Sequence, residues 1–167
     1  MMSFDISEHL PEDFAASSRV WIYQCNRIFF MSELLDIETM LQEFVTNWKS
    51  HGTPVKGYAN IFFGRFVVLM ADENATGVSG CSTDSSVRLI KAIESKYNVN
   101  MFDRLLLAFY IKDKVEQIPL SQLNYAITNN FITPDTLYFD NTILTKKDLM
   151  ERWPSPVKQT WLANKFV

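Results

Sequence analysis

The segment Phe66–Ala71 reads FVVLMA, and each of its residues is apolar. An unbroken apolar run of this length, rich in β-branched residues, predicts a strand that is covered on both faces. Leu105–Ile111 reads LLLAFYI and has the same character. Both runs are far below the about 18 apolar residues of a membrane-spanning helix. The chain therefore has to supply covering layers for these buried strands, and no membrane span is predicted.

Strand and helix patterns alternate around these runs. Alternating β-branched and aromatic residues predict strands, and apolar residues at spacings of three and four predict helices. The predicted elements, in order, are a strand at Arg19–Gln24, a helix from Ser32 that Gly52 ends, strands at Val55–Phe63 and Phe66–Ala71, a helix at Asp84–Tyr97 and a strand at Leu105–Ile111. This βαββαβ order is that of the ferredoxin-like fold, an antiparallel sheet with both helices on one face. We therefore predict an α+β protein of this type, although other α+β topologies share the order.

Turn and cap residues complete the prediction. Gly64 and Arg65 are expected at the centre of a type II′ hairpin turn, because glycine adopts positive φ at little cost. Smaller C-terminal elements are expected to follow: a short helix after Pro119, a hairpin that joins Leu137–Phe139 to Thr142–Leu144, a helix capped by Thr145 and a last short helix opened by Ser155 and Pro156.

Length and composition restrict the classes of function. The 167 residues match one domain, which we place at 18–167, preceded by a flexible arm at 1–17 that Phe4 and Phe14 dock. The formal net charge is −3, so a nucleic-acid partner held by bulk charge is not expected. The two cysteines and two histidines have no disulfide or zinc spacing, so no metal site is assigned to them and no cofactor is identified. Free thiols and an acidic start without a signal-peptide pattern predict a cytoplasmic protein.

The segment Gly77–Arg88, GVSGCSTDSSVR, is the candidate site. It leaves a buried strand and enters a helix, and it combines glycines with several hydroxyl groups. The first turn of a helix has unpaired backbone N–H groups and a partial positive charge, so such a segment can hold an anion. A thiol at this position tends to have a lowered pKa. The expected ligand is therefore a small anion.

Individual residues of this region have expected roles. Cys81 is the candidate reactive or ligand-facing thiol, and Arg88 is the candidate partner of a phosphate or carboxylate. Asp72, at the end of the preceding strand and beside Glu73, is the candidate catalytic acid or metal ligand. Gln24 and Asn26, which end the first strand, are candidates to line a shared cleft. The other candidate anion ligands are Ser79, Gly80, Ser82, Thr83 and Ser85.

A purely structural interpretation of the segment stays open. Serine, threonine and aspartate are preferred N-cap residues, so Thr83 or Asp84 can begin the helix without any ligand. Asp84 at the helix start would also repel an anion. The segment is not a phosphate loop, because Cys81 rather than lysine follows Gly80, and it lacks the G-x-S-x-G and G-x-G-x-x-G spacings. ATPase activity is therefore not expected.

Six runs of the chain carry a resemblance to a known family: RVWIYQ (19–24), VKGY (55–58), FFGRFVVLMADE (62–73), TGVSGCSTDSSVRLIK (76–91), PLSQLNYA (119–126) and FITPDTLYFDNT (131–142). They resemble a small, uncharacterised Bacteroidetes protein family whose members often bear the label ABC transporter ATPase. The resemblance extends from Arg19 to Trp161. It implies a cytoplasmic bacterial protein and supplies no catalytic residues.

Two classes of function follow from these patterns. The first is a protein, enzymatic or not, that binds a small anionic ligand through Gly77–Arg88. The second is a non-enzymatic module that binds a protein partner or forms a homodimer through an exposed sheet or aromatic face. The 13 phenylalanines fit either a large aromatic core or such a face. A pocket with a low-pKa thiol indicates the first class, and an inert thiol with a large apolar patch indicates the second.

The first class makes a prediction about Cys81. In a Cys25→Ala variant, alkylation of Cys81 should show an apparent pKa well below the about 8.5 of a free thiol, because a helix start stabilises the thiolate. The rate with iodoacetamide is measured against pH, with the unfolded variant as the control. Protection by phosphate would support an anion site. A thiol that reacts only after unfolding would contradict the predicted role and favour the second class.

Overall fold

Helices and antiparallel strands both contribute to the fold, which confirms the α+β prediction. The computed structural model describes residues 5–72 and 80–166, with the backbone alone at 80–82. The helices are α1 Met31–Asn47, α2 Gly80–Tyr97, α3 Leu123–Thr128 and α4 Lys146–Arg152. The strands are β1 Arg19–Gln24, β2 Lys49–Ser50, β3 Thr53–Pro54, β4 Gly57–Phe62, β5 Phe66–Ala71, β6 Leu106–Ile111, β7 Lys114–Pro119, β8 Leu137–Tyr138 and β9 Ser155–Pro156. Short 3₁₀ helices lie at Ser7–His9, Leu120–Gln122, Val157–Gln159 and Trp161–Phe166. No helix within the described ranges is long and apolar enough to cross a lipid bilayer.

Strand β5 is the centre of a three-stranded antiparallel sheet with the order β1-β5-β4. Every residue of β5 is buried, as its unbroken apolar sequence predicts. Leu69 of β5 lies opposite Trp21 of β1 and Ala59 of β4, so both edges of β5 are paired. The predicted bounds of β1 and β5 are confirmed. The edges of this sheet are therefore β1 on one side and β4 on the other.

Different layers cover the two faces of this sheet. Because side chains alternate along a strand, the odd-numbered residues of β5 point to one face and the even-numbered residues to the other. The first face packs against both α1 and α2, whose buried residues there are Ile37, Leu41, Ile90 and Ile93. The second face packs against segments from both ends of the chain, with the buried residues Ile6, Leu10, Phe14, Phe139 and Trp153. Each face of β5 is thus closed by its own apolar cluster.

Strand β6 belongs to a second antiparallel sheet, which has the order β7-β6-β8-β9. The sequence patterns did not predict β7, which pairs along the whole of β6. Lys112 and Asp113 turn the chain between them with positive φ values of 51° and 64°, the pattern of a type I′ hairpin. Strand β8 pairs with part of the other edge of β6. The single four-stranded ferredoxin-like sheet is therefore not confirmed, because β6 pairs with β7 and β8 and not with β1.

The turn between β4 and β5 lies one residue earlier than predicted. The N–H of Arg65 donates to the Phe62 carbonyl oxygen over 3.1 Å, and Phe63 and Gly64 between them have φ values of 56° and 66°. These values correspond to a type I′ turn rather than to a type II′ turn centred on Gly64 and Arg65. Positive φ is uncommon for phenylalanine. Ring contacts hold Phe63 in place, among them one to Phe139 with centroids 5.3 Å apart.

Helix α2 begins at Gly80 rather than at Asp84. Thr83 and Asp84 therefore lie inside the helix, and neither is the N-cap that the sequence predicted. Ser86 Oγ donates to the Thr83 carbonyl oxygen over 2.7 Å, so a hydroxyl that often competes with helix formation is bonded within the helix. The predicted end is confirmed, since Asn98 follows the helix with a φ of 52°.

The predicted hairpin of Leu137–Phe139 and Thr142–Leu144 is wrong. Strand β8 pairs with β6 and β9, both of which are distant from it in sequence. Residues after 142 turn instead towards β1, where Val20 N–H donates to the Leu144 carbonyl oxygen over 2.9 Å. The turn residues between the two segments predicted a bend here. Each segment, however, pairs with a strand that is distant from it in sequence.

The remaining terminal predictions have mixed outcomes. Thr145 caps α4 as predicted, because its Oγ1 accepts the N–H of Asp148 over 3.2 Å. The expected last helix begins instead as strand β9 and continues as 3₁₀ helices. Phe14 docks the N-terminal segment as expected, since its side chain is buried in the apolar cluster on the second face. Phe4 lies outside the described residues.

Gly57 in β4 provides a test of the packing on the helical face. An added Cβ would lie 2.6 Å from Cε3 of Trp48. Trp48 is 2% exposed and its ring contacts those of Trp21 and Phe44, so it has little room to move. Gly57→Ala should lower the free energy of unfolding by about 1–3 kcal/mol in urea denaturation. In a Trp48→Leu background the same change should cost much less, and an equal loss in both backgrounds would contradict the close contact.

Candidate functional site

A cleft of about 730 Å³ lies between β1 of the first sheet and β6 of the second. Ligand pockets are commonly about 300–1,000 Å³, so the cleft has the size of a small-molecule site. Residues from α2, from the segment before β6 and from the segment between β8 and α4 complete its walls. The cleft occupies the position at which a fourth strand would continue the first sheet beyond β1.

The middle of the β1 edge is unpaired inside this cleft. Val20 N–H donates to the Leu144 carbonyl oxygen, so the even-numbered residues of β1 direct their backbone groups away from β5. Ile22 is the next such residue, and its backbone N–H and carbonyl have no hydrogen-bond partner within the described ranges. The edge is therefore closed near Val20 and open at Ile22.

Side-chain amides close the far end of the cleft at Gln24. Gln24 Nε2 donates to the Leu106 carbonyl oxygen over 3.0 Å, which joins β1 to β6. Gln24 Oε1 accepts from Asn141 Nδ2 over 2.9 Å, and Asn141 Oδ1 accepts from Trp153 Nε1 over 2.9 Å. The buried Trp153 thus anchors a chain of amides that fixes the spacing of the two walls.

Two arginines line the cleft, Arg19 from β1 and Arg104 from the segment before β6. The guanidinium carbon of Arg19 lies 5.3 Å from the ring centroid of Trp21, in the geometry of a cation–π contact. Neither arginine makes a salt bridge in the part of the chain that the structure describes. The nearby Asp103 uses its Oδ1 to accept the N–H of Leu105. The cleft therefore holds two cationic groups whose charges are not neutralised by an ion pair there.

Two tyrosines add neutral polar groups to the cleft. Burial raises the pKa of Tyr138, and the neighbouring Asp140 carboxylate raises it further. Burial also raises the pKa of Tyr23, although the hydrogen bond to Ser86 opposes the shift. The Tyr23 hydroxyl lies 2.9 Å from Ser86 Oγ and donates to it, since Ser86 uses its own proton on the Thr83 carbonyl. Both phenols therefore stay protonated at neutral pH and do not act as bases, and the Tyr23 proton is already used on Ser86.

The predicted segment Gly77–Arg88 reaches the cleft through Thr83 and Val87, which both line it. Arg88 lies on the exposed side of α2, where its Nη2 donates to Ser85 Oγ over 3.1 Å. The two side chains are thus together but do not line the cleft. The other predicted ligands of this segment fall outside the description in whole or in part: Ser79 is not described, and only the backbone is described for Gly80, Cys81 and Ser82. The backbone of these last three residues forms the start of α2.

Asp72 lies directly after β5 and points away from α2. Its side chain is on the second face of the sheet, where Oδ2 accepts the N–H of Ala15 over 3.3 Å and lies 3.6 Å from Lys56 Nζ. Asp72 is 4% exposed, and these contacts stabilise its buried carboxylate. The structure therefore does not bring Asp72 together with Thr83, Ser85 or Arg88.

Sequence reasoning identified some residues of the cleft and missed others. Gln24 and Thr83 were singled out and line the cleft, whereas Asn26 instead accepts the Asn100 N–H through its Oδ1. Arg19 and Arg104 were missed. A single arginine at a strand start or in a loop has no motif around it, and only the fold places these two in one cleft.

Cys25 lies beside the cleft wall but is not an activated thiol. It follows β1, is fully buried and belongs to the apolar cluster under the helices. Burial raises the pKa of the Cys25 thiol, and the charge and backbone of Arg27 offset only part of this effect. A thiol with a raised pKa is a weak nucleophile at neutral pH.

Comparisons of the chain with protein-family models, with curated proteins and with solved structures find no match. Among the described residues, no group of three or more His, Cys, Asp and Glu side chains could hold a metal ion. The functional interpretation of this chain therefore depends on the geometry and chemistry of the cleft.

The amide chain at the end of the cleft can be tested with Gln24→Leu. This change keeps the size of the side chain but leaves the Leu106 carbonyl and the Asn141 amide without Gln24 as a partner. We expect the free energy of unfolding to fall by about 1–3 kcal/mol in urea denaturation. Gln122→Leu, at an exposed position, is the control and should change it by less than about 0.5 kcal/mol. Equal effects of the two changes would show that the amide chain does not hold the walls.

Proposed function

We propose that this protein binds a small anionic ligand with an apolar body in the cleft between β1 and β6. The observation that carries this proposal is that two arginines without salt bridges in the described structure line one cleft of about 730 Å³. An arginine presents paired N–H donors that match a carboxylate or phosphate. Arg19 is half-buried and Arg104 is exposed, and neither has an ion-pair partner among the described residues, so both can contact an anion that enters this cleft.

The other residues of the cleft support a ligand of mixed character. Aromatic and aliphatic side chains form much of the lining, among them Ile22, Val87 and Phe139. Between them stand neutral polar groups, such as Tyr23, whose phenol is protonated at neutral pH. This combination of an apolar lining with a few polar groups is typical of small-molecule sites. The described groups supply binding and orientation, so the proposal is for binding and names no reaction.

The fold offers a reason for the position of the cleft. The order β1-β5-β4, with both helices on one face, corresponds to three strands of a ferredoxin-like sheet. In that arrangement the last strand lies beside β1. We interpret the fold as a ferredoxin-like core whose last strand, β6, has separated from β1, which makes the cleft the resulting gap. The resemblance to a Bacteroidetes family supports a cytoplasmic bacterial setting for this binding protein.

The proposal predicts that an aromatic phosphate binds through the cleft arginines. In NMR titrations with phenyl phosphate, we expect shifts centred on Trp21, Tyr23 and Thr83, and weaker or absent shifts with neutral benzyl alcohol. Arg19→Gln or Arg104→Gln should weaken binding about 10- to 100-fold, because each change removes hydrogen bonds to a charged group. Benzoate serves as the matched carboxylate probe.

Arg88→Gln is the matched control, because it removes the same charge from α2 outside the cleft. It should leave the affinity for phenyl phosphate within about two-fold of the wild-type value, since a charge on the solvent-exposed side of α2 is screened. If only Arg88→Gln loses affinity for phenyl phosphate, the anion site lies at the start of α2, as the sequence alone predicted. Equal binding by all variants would contradict an anion site formed by these arginines.

A further inference from the structure

The other edge of the first sheet, β4, is open along part of its length. In the β4–β5 pair, the N–H of Asp72 donates to the Lys56 carbonyl oxygen, so the even-numbered residues of this segment direct their backbone groups to β5. The odd-numbered residues Gly57, Ala59 and Ile61 direct theirs outwards. Of these, only the Ile61 N–H has a partner in the described structure, the Oδ1 of Asn60 at 2.8 Å.

Ala59 provides the main evidence that the β4 edge can accept a further strand. Its relative exposure is only 8%, yet its backbone N–H and carbonyl oxygen have no protein partner within the described ranges. Backbone groups that are shielded from water are paired in most proteins, so the outward N–H and carbonyl of Ala59, which lines the groove, are available to an added strand. Two devices that protect many edge strands are absent from β4, since its sequence GYANIF contains no charged residue and no proline.

Helix α1 runs beside this edge and forms the second wall of a groove. The groove-lining residues of α1 include Leu35, Glu38, Thr39, Gln42 and Glu43. Their spacing of three and four places them in one stripe along the helix. Leu35 is 60% exposed, which provides an apolar contact at one end of the stripe. An extended chain lying between this stripe and β4 would contact both.

The groove has a negative charge. Glu38 and Glu43 are exposed and form no salt bridge in the described part of the chain, and no lysine or arginine lines the groove. A basic chain would therefore be attracted to it. A second copy of this protein is disfavoured, because pairing two β4 edges about a two-fold axis would bring the glutamates of both copies to the same seam.

We propose that this groove binds an extended basic peptide segment of another protein, which adds to β4 as an antiparallel or parallel strand. Gly57 and Ala59 would supply the backbone hydrogen bonds, as in other interactions that add a strand to a sheet edge. Lysine or arginine side chains on alternate positions of the peptide would face Glu38 and Glu43. This binding site is separate from the cleft on β1, so it does not depend on the function proposed there.

The test uses the full chain and a fluorescein-labelled peptide, acetyl-KVKVKV-amide, with binding measured by anisotropy at low ionic strength. The control peptides are acetyl-EVEVEV-amide and a KVKVKV peptide in which every residue is N-methylated, which keeps the charge but loses the backbone donors of both strand directions. We expect saturable binding of the first peptide alone, with an affinity that falls as salt is added. Equal binding of the N-methylated peptide would overturn strand addition.

Variants of the protein test the two walls separately. Glu38→Lys/Glu43→Lys should weaken binding about ten-fold, whereas the exposed pair Glu12→Lys/Glu151→Lys changes the net charge equally and should have little effect. If both double variants lose the same affinity for the peptide, the interaction depends only on net charge, and the groove is not the binding site.

Ala59→Pro removes an outward donor of β4 without removing a bond to β5, and should abolish binding while circular dichroism stays native. If this variant does not fold, the N-methylated peptide tests the same hydrogen bonds. Sedimentation velocity of the wild-type chain provides the remaining outcome. If the wild-type chain is a dimer, and either the Glu38→Lys/Glu43→Lys change or the peptide dissociates it, then a second copy occupies the groove. This result would overturn the proposal.

Discussion

Burial of β5 on both faces is the constraint on which the rest of this structure depends. A strand that consists only of apolar residues is stable only when both of its faces and both of its edges are covered. Strands β1 and β4 pair with its two edges, and α1 and α2 cover one face. Segments from both ends of the chain cover the other face, through residues such as Phe14 and Trp153. Residues distant in sequence are therefore held together by their contacts with one central strand.

The covering of the second face also accounts for the cleft. Phe139 packs under β5 with ring centroids 5.0 Å from those of Phe66 and Trp153, and its backbone N–H donates to the Ala108 carbonyl oxygen of β6. The segment that covers β5 is thus also bonded to β6. Because β6 pairs with this segment and with β7, it is not available to extend the first sheet. The gap beside β1 follows from the same contacts that bury β5.

The sequence predicts the parts of this fold that depend on local patterns. The apolar run of β5, the helical spacing of α2 up to Asn98 and the cap at Thr145 all have local signals, and the structure confirms them. Pairing partners have no such signal, which is why β7 and the separation of β6 from β1 were missed. The candidate site shows the same division. Gln24 and Thr83 were identified from their positions at element ends, whereas the grouping of Arg19 with Arg104 depends on the fold.

The two edges of the first sheet have opposite chemistry, and this difference separates the two proposed binding sites. The β1 edge opens into a cleft with two arginines, and the β4 edge opens into a groove with two glutamates. An anionic ligand is therefore attracted to one edge and repelled by the other, and the reverse holds for a basic peptide. Both edges pair directly with β5, so a ligand that orders either strand would stabilise the same central strand. Strand β5 is the one strand of this sheet that pairs with both edges, since β1 and β4 have no pairing with each other.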